Sequence, residues 1–277
     1  MPLIQYACAH CGFWQPWFAG QQPIGCPVCM DVRNALPPDG WDFRTVEDLT
    51  GSVTTRWAEA MPGIVGFSCD PAFGLGSTGW LLLRDEGNIA FEGAPFYTPE
   101  ALDEIERLGG IAILAGSHPH GFGALWQLAE RFDPTVVIHR DGLRYTKAFR
   151  VSWPADDVHQ LAPGLTMIAT QGHYEGHAVL HDAQDRALFC GDCLKVDLDG
   201  EGQPVALSCH KGFHYQIPLS HDEVRRYRAV FAELDFDTVF TPFEHASGVT
   251  RAHALGLFDR LLAGPPSTRP FPLEALA

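Results

Sequence analysis

Residues 115–125 read AGSHPHGFGAL. An apolar run, GIAILAG (110–116), leads straight into two histidines, His118 and His120, one residue apart. Side chains of an extended chain repeat every two residues, so an H-x-H pair there is expected to put both rings on one side. That is half of a metal site. Phe122 and Gly123 follow where a second pair of ligands would be looked for.

Three other places share this texture. MIATQGHYEGH (167–177) carries His173 and His177, with Gly172 and Gly176 framing a tight turn that frees His173 to point inward. ALFCGDC (187–193) ends a strand on Gly191-Asp192, and TVFTPFEHASG (238–248) follows a strand with His245. Each is a strand end, from which a side chain can project into a common cleft. His139, His159, His181, His221 and His253 lie in strand ends, loops or helix faces and read as surface or hydrogen-bonded residues.

The four places, in this order, resemble the metallo-β-lactamase superfamily over roughly residues 50–265. The family pattern is H-x-H-x-D-H after a strand, then G-H-T-x-G-H, then G-D, then a late histidine. The resemblance implies an αβ/βα sandwich with a mono- or dinuclear site at one edge. It implies that His118, His120 and His173 form the first metal site, with Asp192 bordering it and His245 at the second. Phe122 and Gly123 replace two second-site ligands, and Tyr174 and Glu175 replace the usual Thr and its small neighbour. Three imidazoles and a carboxylate suffice for one zinc or iron with a labile water. The expected centre is therefore mononuclear. The missing aspartate leaves the proton to Asp192, Glu175, Tyr174 or an unmetallated His245, with His245 ranked first.

The first 35 residues read as a separate unit (1–35, with 36–277 as the metallo-β-lactamase-like domain). CAHC and CPVC are two C-x-x-C knuckles 14 residues apart, bringing Cys8, Cys11, Cys26 and Cys29 to one ion. The pair resembles a zinc ribbon or a rubredoxin knuckle pair. Zinc and iron both fit four thiolates, and a closed site implies a structural role, with metal binding supplying folding free energy. The remaining cysteines include Cys190 and Cys193 beside Asp192, which read as small hydrophobes ahead of a redox pair. LSCHKGFHYQIPLS (207–220), with His210 and His214, falls where substrate-contacting insertions occur in the family and offers Phe213, Tyr215 and Lys211 to a pocket.

Composition sets the frame. A chain of 277 residues with 46% hydrophobic and 19% charged residues is an ordinary globular protein. A formal charge of −15 argues against a nucleic-acid partner. No apolar run is long enough for a membrane span, and no secretory signal is visible, so a cytoplasmic location is expected. Helices are predicted over 98–109 (Thr98 N-cap, Pro99 first, Gly109 last), over GALWQLAERFD, over SHDEVRRYRAVFAELD with a Ser220/Glu223 capping box, and over TRAHALGLFDRLLAG, interleaved with short strands. Three functions compete: a mononuclear hydrolase of a small ester, thioester or related substrate; a mononuclear iron oxidoreductase resembling the superfamily's persulfide dioxygenases; and a non-catalytic module docking a protein partner through the ribbon.

Overall fold

The structure is a computed structural model describing all residues, Met1–Ala277. Two compact units make up the chain, Met1–Pro154 and Ala155–Ala277.

The first unit begins with the cysteine ribbon. Strands β1 (Leu3–Cys8) and β2 (Trp14–Phe18) form a hairpin, with Leu3 opposite Phe18 and Ala7 opposite Trp14. Strand β3 (Phe43–Arg44) pairs with β1 on its other edge. A single helical turn, α1 (Val46–Leu49), follows behind a Thr45/Asp48 capping box. A seven-stranded sheet is then laid down in chain order: β4 (Thr54–Met61), β5 (Ile64–Asp70), β6 (Gly79–Leu82), β7 (Ile89–Phe91), β8 (Ile113–Ala115), β9 (Thr135–His139) and β10 (Trp153–Ala155). Pairing is antiparallel from β4 to β7 and parallel from β7 to β9. Parallel neighbours need a crossover, and the predicted helices supply both: α2 (Pro99–Arg107) and α3 (Leu125–Phe132). The ribbon is docked onto this unit. The Trp14 indole N–H donates to the Pro95 carbonyl at 2.7 Å, and its ring packs against Phe96 and Trp126.

The second unit holds β11 (Val158–Ala162), β12 (Leu165–Ala169), β13 (Ala178–Asp182), β14 (Ala187–Phe189), β15 (Lys195–Leu198), β16 (Pro204–Ser208), α4 (His221–Ala232), β17 (Thr238–Phe240), β18 (His245–Ser247), α5 (Arg251–Ala263) and β19 (Phe271–Pro272). Six strands form a sheet in the order β11-β12-β13-β14-β17-β18, and β15, β16 and β19 form a small sheet. Only the β14–β17 pair is parallel in the larger sheet, and α4 bridges those two strands in sequence. The predicted capping box is present: the Glu223 N–H donates to the Ser220 hydroxyl, and the Ser220 N–H donates back to the Glu223 carboxylate at 2.8 Å. Tyr227 and Phe231 of α4 meet Phe258 of α5 edge to face, at 5.9 and 5.2 Å, in a core that also takes in Cys190, Cys193 and Cys209. No helix is long and apolar enough to cross a membrane.

Candidate metal centre

The four N-terminal cysteines are buried, unbonded to one another, and within 4.8 Å of each other at their sulfurs. Cys8 and Cys29 Sγ are 3.9 Å apart, and Cys11 and Cys26 Sγ 3.7 Å apart. Thiolates held about 2.3 Å from one tetrahedral zinc stand about 3.8 Å apart, so the set fits an ion and not a disulfide. Its electrostatics agree. Thiols of Cys11, Cys26 and Cys29 aimed at Cys8 pull its pKa down, while the same crowding with Cys26 and Cys29 pushes Cys11 up. Four buried thiols share little negative charge until a cation joins them.

In the first unit, the segment after β8 corrects the extended-chain expectation for the histidine pair. Pro119–Phe122 is a 3-10 turn, and only His118 retains an extended backbone (φ −164°). Pro119 starts the turn, and the turn rather than strand alternation brings the His118 and His120 rings edge to face at 5.5 Å. Backbone bonds fasten the loop: the Gly93 N–H donates to the Gly121 carbonyl at 2.8 Å and the Ala124 N–H to the Ala94 carbonyl at 2.8 Å. His118 Nδ1 lies 2.8 Å from the Ser117 hydroxyl, which donates in turn to the Glu92 carboxylate. That relay puts the His118 proton on Nδ1 and makes Nε2 the nitrogen that could bind a metal ion. Glu92 is buried and left-handed (φ 65°), a conformation that non-glycine residues seldom adopt. Sequence reading missed both Glu92 and Ser117. The signals were a carboxylate ending the apolar run NIAF and a hydroxyl directly before His118.

The two replaced positions have become structural. Phe122 is buried and packs edge to face on Phe149 at 5.8 Å. Gly123 has φ 42°, and a Cβ there would stand 2.6 Å from the Ala94 carbonyl oxygen. A histidine cannot occupy that position.

In the second unit, the turn 170–177 presents His173. His173 Nδ1 donates to the His210 carbonyl at 2.9 Å, leaving the Nε2 lone pair 3.5 Å from Asp192 Oδ2. Two acceptors at that separation call for a positive charge between them, and ligands about 2.0 Å from one tetrahedral ion sit about 3.3 Å apart. Asp192 comes from a 3-10 turn, Gly191–Cys193, directly after β14. Tyr174 is buried, its ring 6.1 Å from that of His173, and Glu175 is exposed. His177 is buried with Nδ1 2.7 Å from the Thr170 hydroxyl, closing the base of the turn.

A cavity of about 300 Å³ opens beside Asp192, walled by Phe213, Thr241, Phe243 and Glu244. Phe213 thus reaches it as expected, stacked on the buried His210 ring at 4.6 Å. Lys211 instead pairs with Glu223, and Tyr215 and His214 are exposed. His245 is exposed on β18, its ring stacked on Phe240 at 5.6 Å, and is not among the cavity's lining residues. Its neighbour Glu244 is. The Thr241 hydroxyl donates to the Glu244 carboxylate at 2.7 Å. Burial, and then the Asp192 charge, push the Glu244 pKa up against that hydrogen bond. A larger hollow of about 500 Å³ in the first unit, beside Trp126, Phe149 and Arg150, contains none of the cysteine or histidine donors.

Cys190, Cys193 and Cys209 are buried in the core; burial raises Cys193 well above its usual range and Cys209 to about 12, so those two thiols stay protonated.

Residues 100–233 match the family profile described as the metallo-beta-lactamase superfamily. An uncharacterized protein, YmaE of Bacillus subtilis (strain 168), is 27% identical over 251 residues, covering 86% of this chain and 88% of its own. Among solved structures, the metallo-beta-lactamase FIM-1 from Pseudomonas aeruginosa in its mono-zinc form aligns with a TM-score of 0.54 at 13% identity, over 76% of this chain and 97% of that one. A metallo-beta-lactamase from Hirschia baltica aligns with a TM-score of 0.53 at 12% identity, over 76% and 98%. The profile match over residues 100–233, the strand-end histidines and aspartate, and a fold shared with solved metallo-beta-lactamases make the chain similar to the metallo-β-lactamase superfamily, with a small cysteine ribbon at its N-terminus.

Proposed function

We propose that the protein is a mononuclear metal-dependent hydrolase of a small ester, thioester or related substrate. The observation that carries this reading is the donor set. His118 and His120 of the first unit and His173 and Asp192 of the second are all buried donors, and the reading has them share one metal ion. The match of residues 100–233 to the metallo-beta-lactamase superfamily supports it. The loss of side-chain ligands at Phe122 and Gly123 supports one ion rather than two. A zinc or iron ion bound there supplies Lewis acidity and a more acidic water.

The chain's own residues do the rest. Ser117 with Glu92, and the His210 carbonyl, each hold a ligand imidazole in one tautomer. Phe213 and Phe243 give the cavity apolar walls that seat a compact acyl group and exclude water. Glu244 lines that cavity together with Asp192 and Lys195, and a raised carboxyl pKa suits it to return a proton to a departing alcohol or thiol. The cysteine ribbon holds a second, structural ion.

Metal analysis of freshly purified protein, paired with turnover of simple esters and thioesters, tests the reading. Two zinc ions per chain and metal-dependent turnover are expected. A single ion, lost on substituting the cysteines and unaffected by His118→Ala with His120→Ala, would overturn it. Iron at the histidines with no hydrolysis would point instead to the oxidoreductase.

A further inference from the structure

We propose that the Tyr227 hydroxyl is the positioning group that holds the 170–177 turn in the conformation presenting His173. The inference rests on the reading of His173 as a metal ligand.

The turn is built from unfavourable backbone. Gln171 has φ 56°, and Gly172 follows at φ 74°. Consecutive left-handed residues, one of them not glycine, persist only where the surroundings over-determine them. The turn's own bonds close its base, where the Thr170 and Gln171 N–H groups both donate to the His177 carbonyl at 2.9 and 3.0 Å, and span its apex, where the His173 N–H donates to the Gln171 carbonyl at 2.9 Å. The apex is also held from outside. Tyr227, on α4, sends its hydroxyl between two backbone groups more than fifty positions away in sequence. It donates to the Gln171 carbonyl at 3.0 Å and accepts from the His173 N–H at 3.0 Å. One oxygen thus ties both flanks of Gly172. The ring lies so close that a Cβ at position 172 would stand 2.7 Å from it. Tyr227 is itself fully buried, its ring packed against Phe231 and Phe258.

The His173 ring is held at Nδ1 by the His210 carbonyl, and its backbone is held by Tyr227. Removing the hydroxyl leaves the ring bond and the His173–Gln171 backbone bond intact and cuts the tie that anchors this backbone to α4.

The test uses the full-length, metal-depleted protein titrated with cobalt(II). Sulfur-to-cobalt charge-transfer bands report the cysteines, and the weaker ligand-field bands report the histidine set. Tyr227→Phe should leave the cysteine bands unchanged and weaken cobalt at the histidines about 10- to 100-fold, the usual cost of losing an outer-shell partner. Amide exchange over 171–177 should accelerate about tenfold or more, with β12 and β13 still protected. Leu261→Ala, on α5, is the control for general loosening of the same core. Equal effects from Leu261→Ala, or unchanged exchange and cobalt affinity in Tyr227→Phe, would overturn the proposal. If the wild-type protein takes no cobalt outside its cysteines, the metal-site reading fails, and exchange alone still decides the role of Tyr227. Should Tyr227→Phe not fold, Gly172→Ala presses the same contact from the turn side, and the same selective loosening is expected.

Discussion

The ring of His173 and the backbone of His210 form a single hydrogen bond of 2.9 Å, and it decides which nitrogen of His173 can bind an ion. The bond comes from the segment after β16, whose next aromatic, Phe213, also lies against the His173 ring at 5.4 Å. Ligand orientation and cavity wall are therefore supplied by one stretch of chain. Replacing Phe213 with Ala should enlarge the cavity and raise KM for compact substrates several-fold with a smaller effect on kcat, measured by steady-state turnover of matched short and long acyl esters.

Glu244 and His245 make competing claims on the proton. The cavity lining favours Glu244. Glu244→Gln is expected to lower kcat about 100-fold, the usual scale for a lost general acid, with metal content unchanged. His245→Ala should stay within about threefold of wild type on the same footing. Paired kinetics and metal analysis check this, and the reverse pattern would return the role to His245.

The second metal site should resist restoration. Gly123→His demands a side chain on left-handed backbone facing the Ala94 carbonyl. Phe122→Asp removes a buried ring, costing about 3–5 kcal/mol by analogy with truncation, and buries a charge as well. The double variant is expected to melt well below wild type and still to bind one ion at the histidines, as read by calorimetry and metal stoichiometry.

The α4 cap gives a pH signature. Glu223 is half-buried; burial raises its pKa, but the Lys211 ammonium and the Ser220 N–H and hydroxyl outweigh that and leave it lowered. A carboxylate whose folded pKa is depressed lends stability above its unfolded value of 4.5, and this is lost as pH falls through the folded value. Glu223→Gln should therefore flatten the wild-type loss of stability below about pH 4.5 and cost about 1 kcal/mol at neutral pH as a lost cap. Urea unfolding at a series of pH values measures both.

Much of this was legible from local chemistry. The Ser220/Glu223 box, Pro99 at the start of α2 and the two C-x-x-C knuckles act over a few residues, and each stands where the sequence puts it. The helix ending at Gly264 was also visible, although that glycine caps it in extended form (φ −125°). What escaped notice depends on contacts distant in sequence. Nothing near Tyr227 announces that its hydroxyl serves a turn at 171–173. Glu92 gains meaning only when β7 and β8 pair, and β15, β16 and β19 are short strands whose partners are decided by the fold. The H-x-H reading erred because Pro119 converts what periodicity describes as strand into a turn.

Trp14 lies between the ribbon and the rest of the first unit, its indole fixed to Pro95 and its ring on Phe96 and Trp126. An ion captured by the four sulfurs would therefore do more than close a small hairpin: it would help seat a tryptophan in a hydrophobic interior. Starved of that ion, the protein would show its deficit first as greasy surface laid bare, and chaperones or proteases would notice before any assay of turnover did.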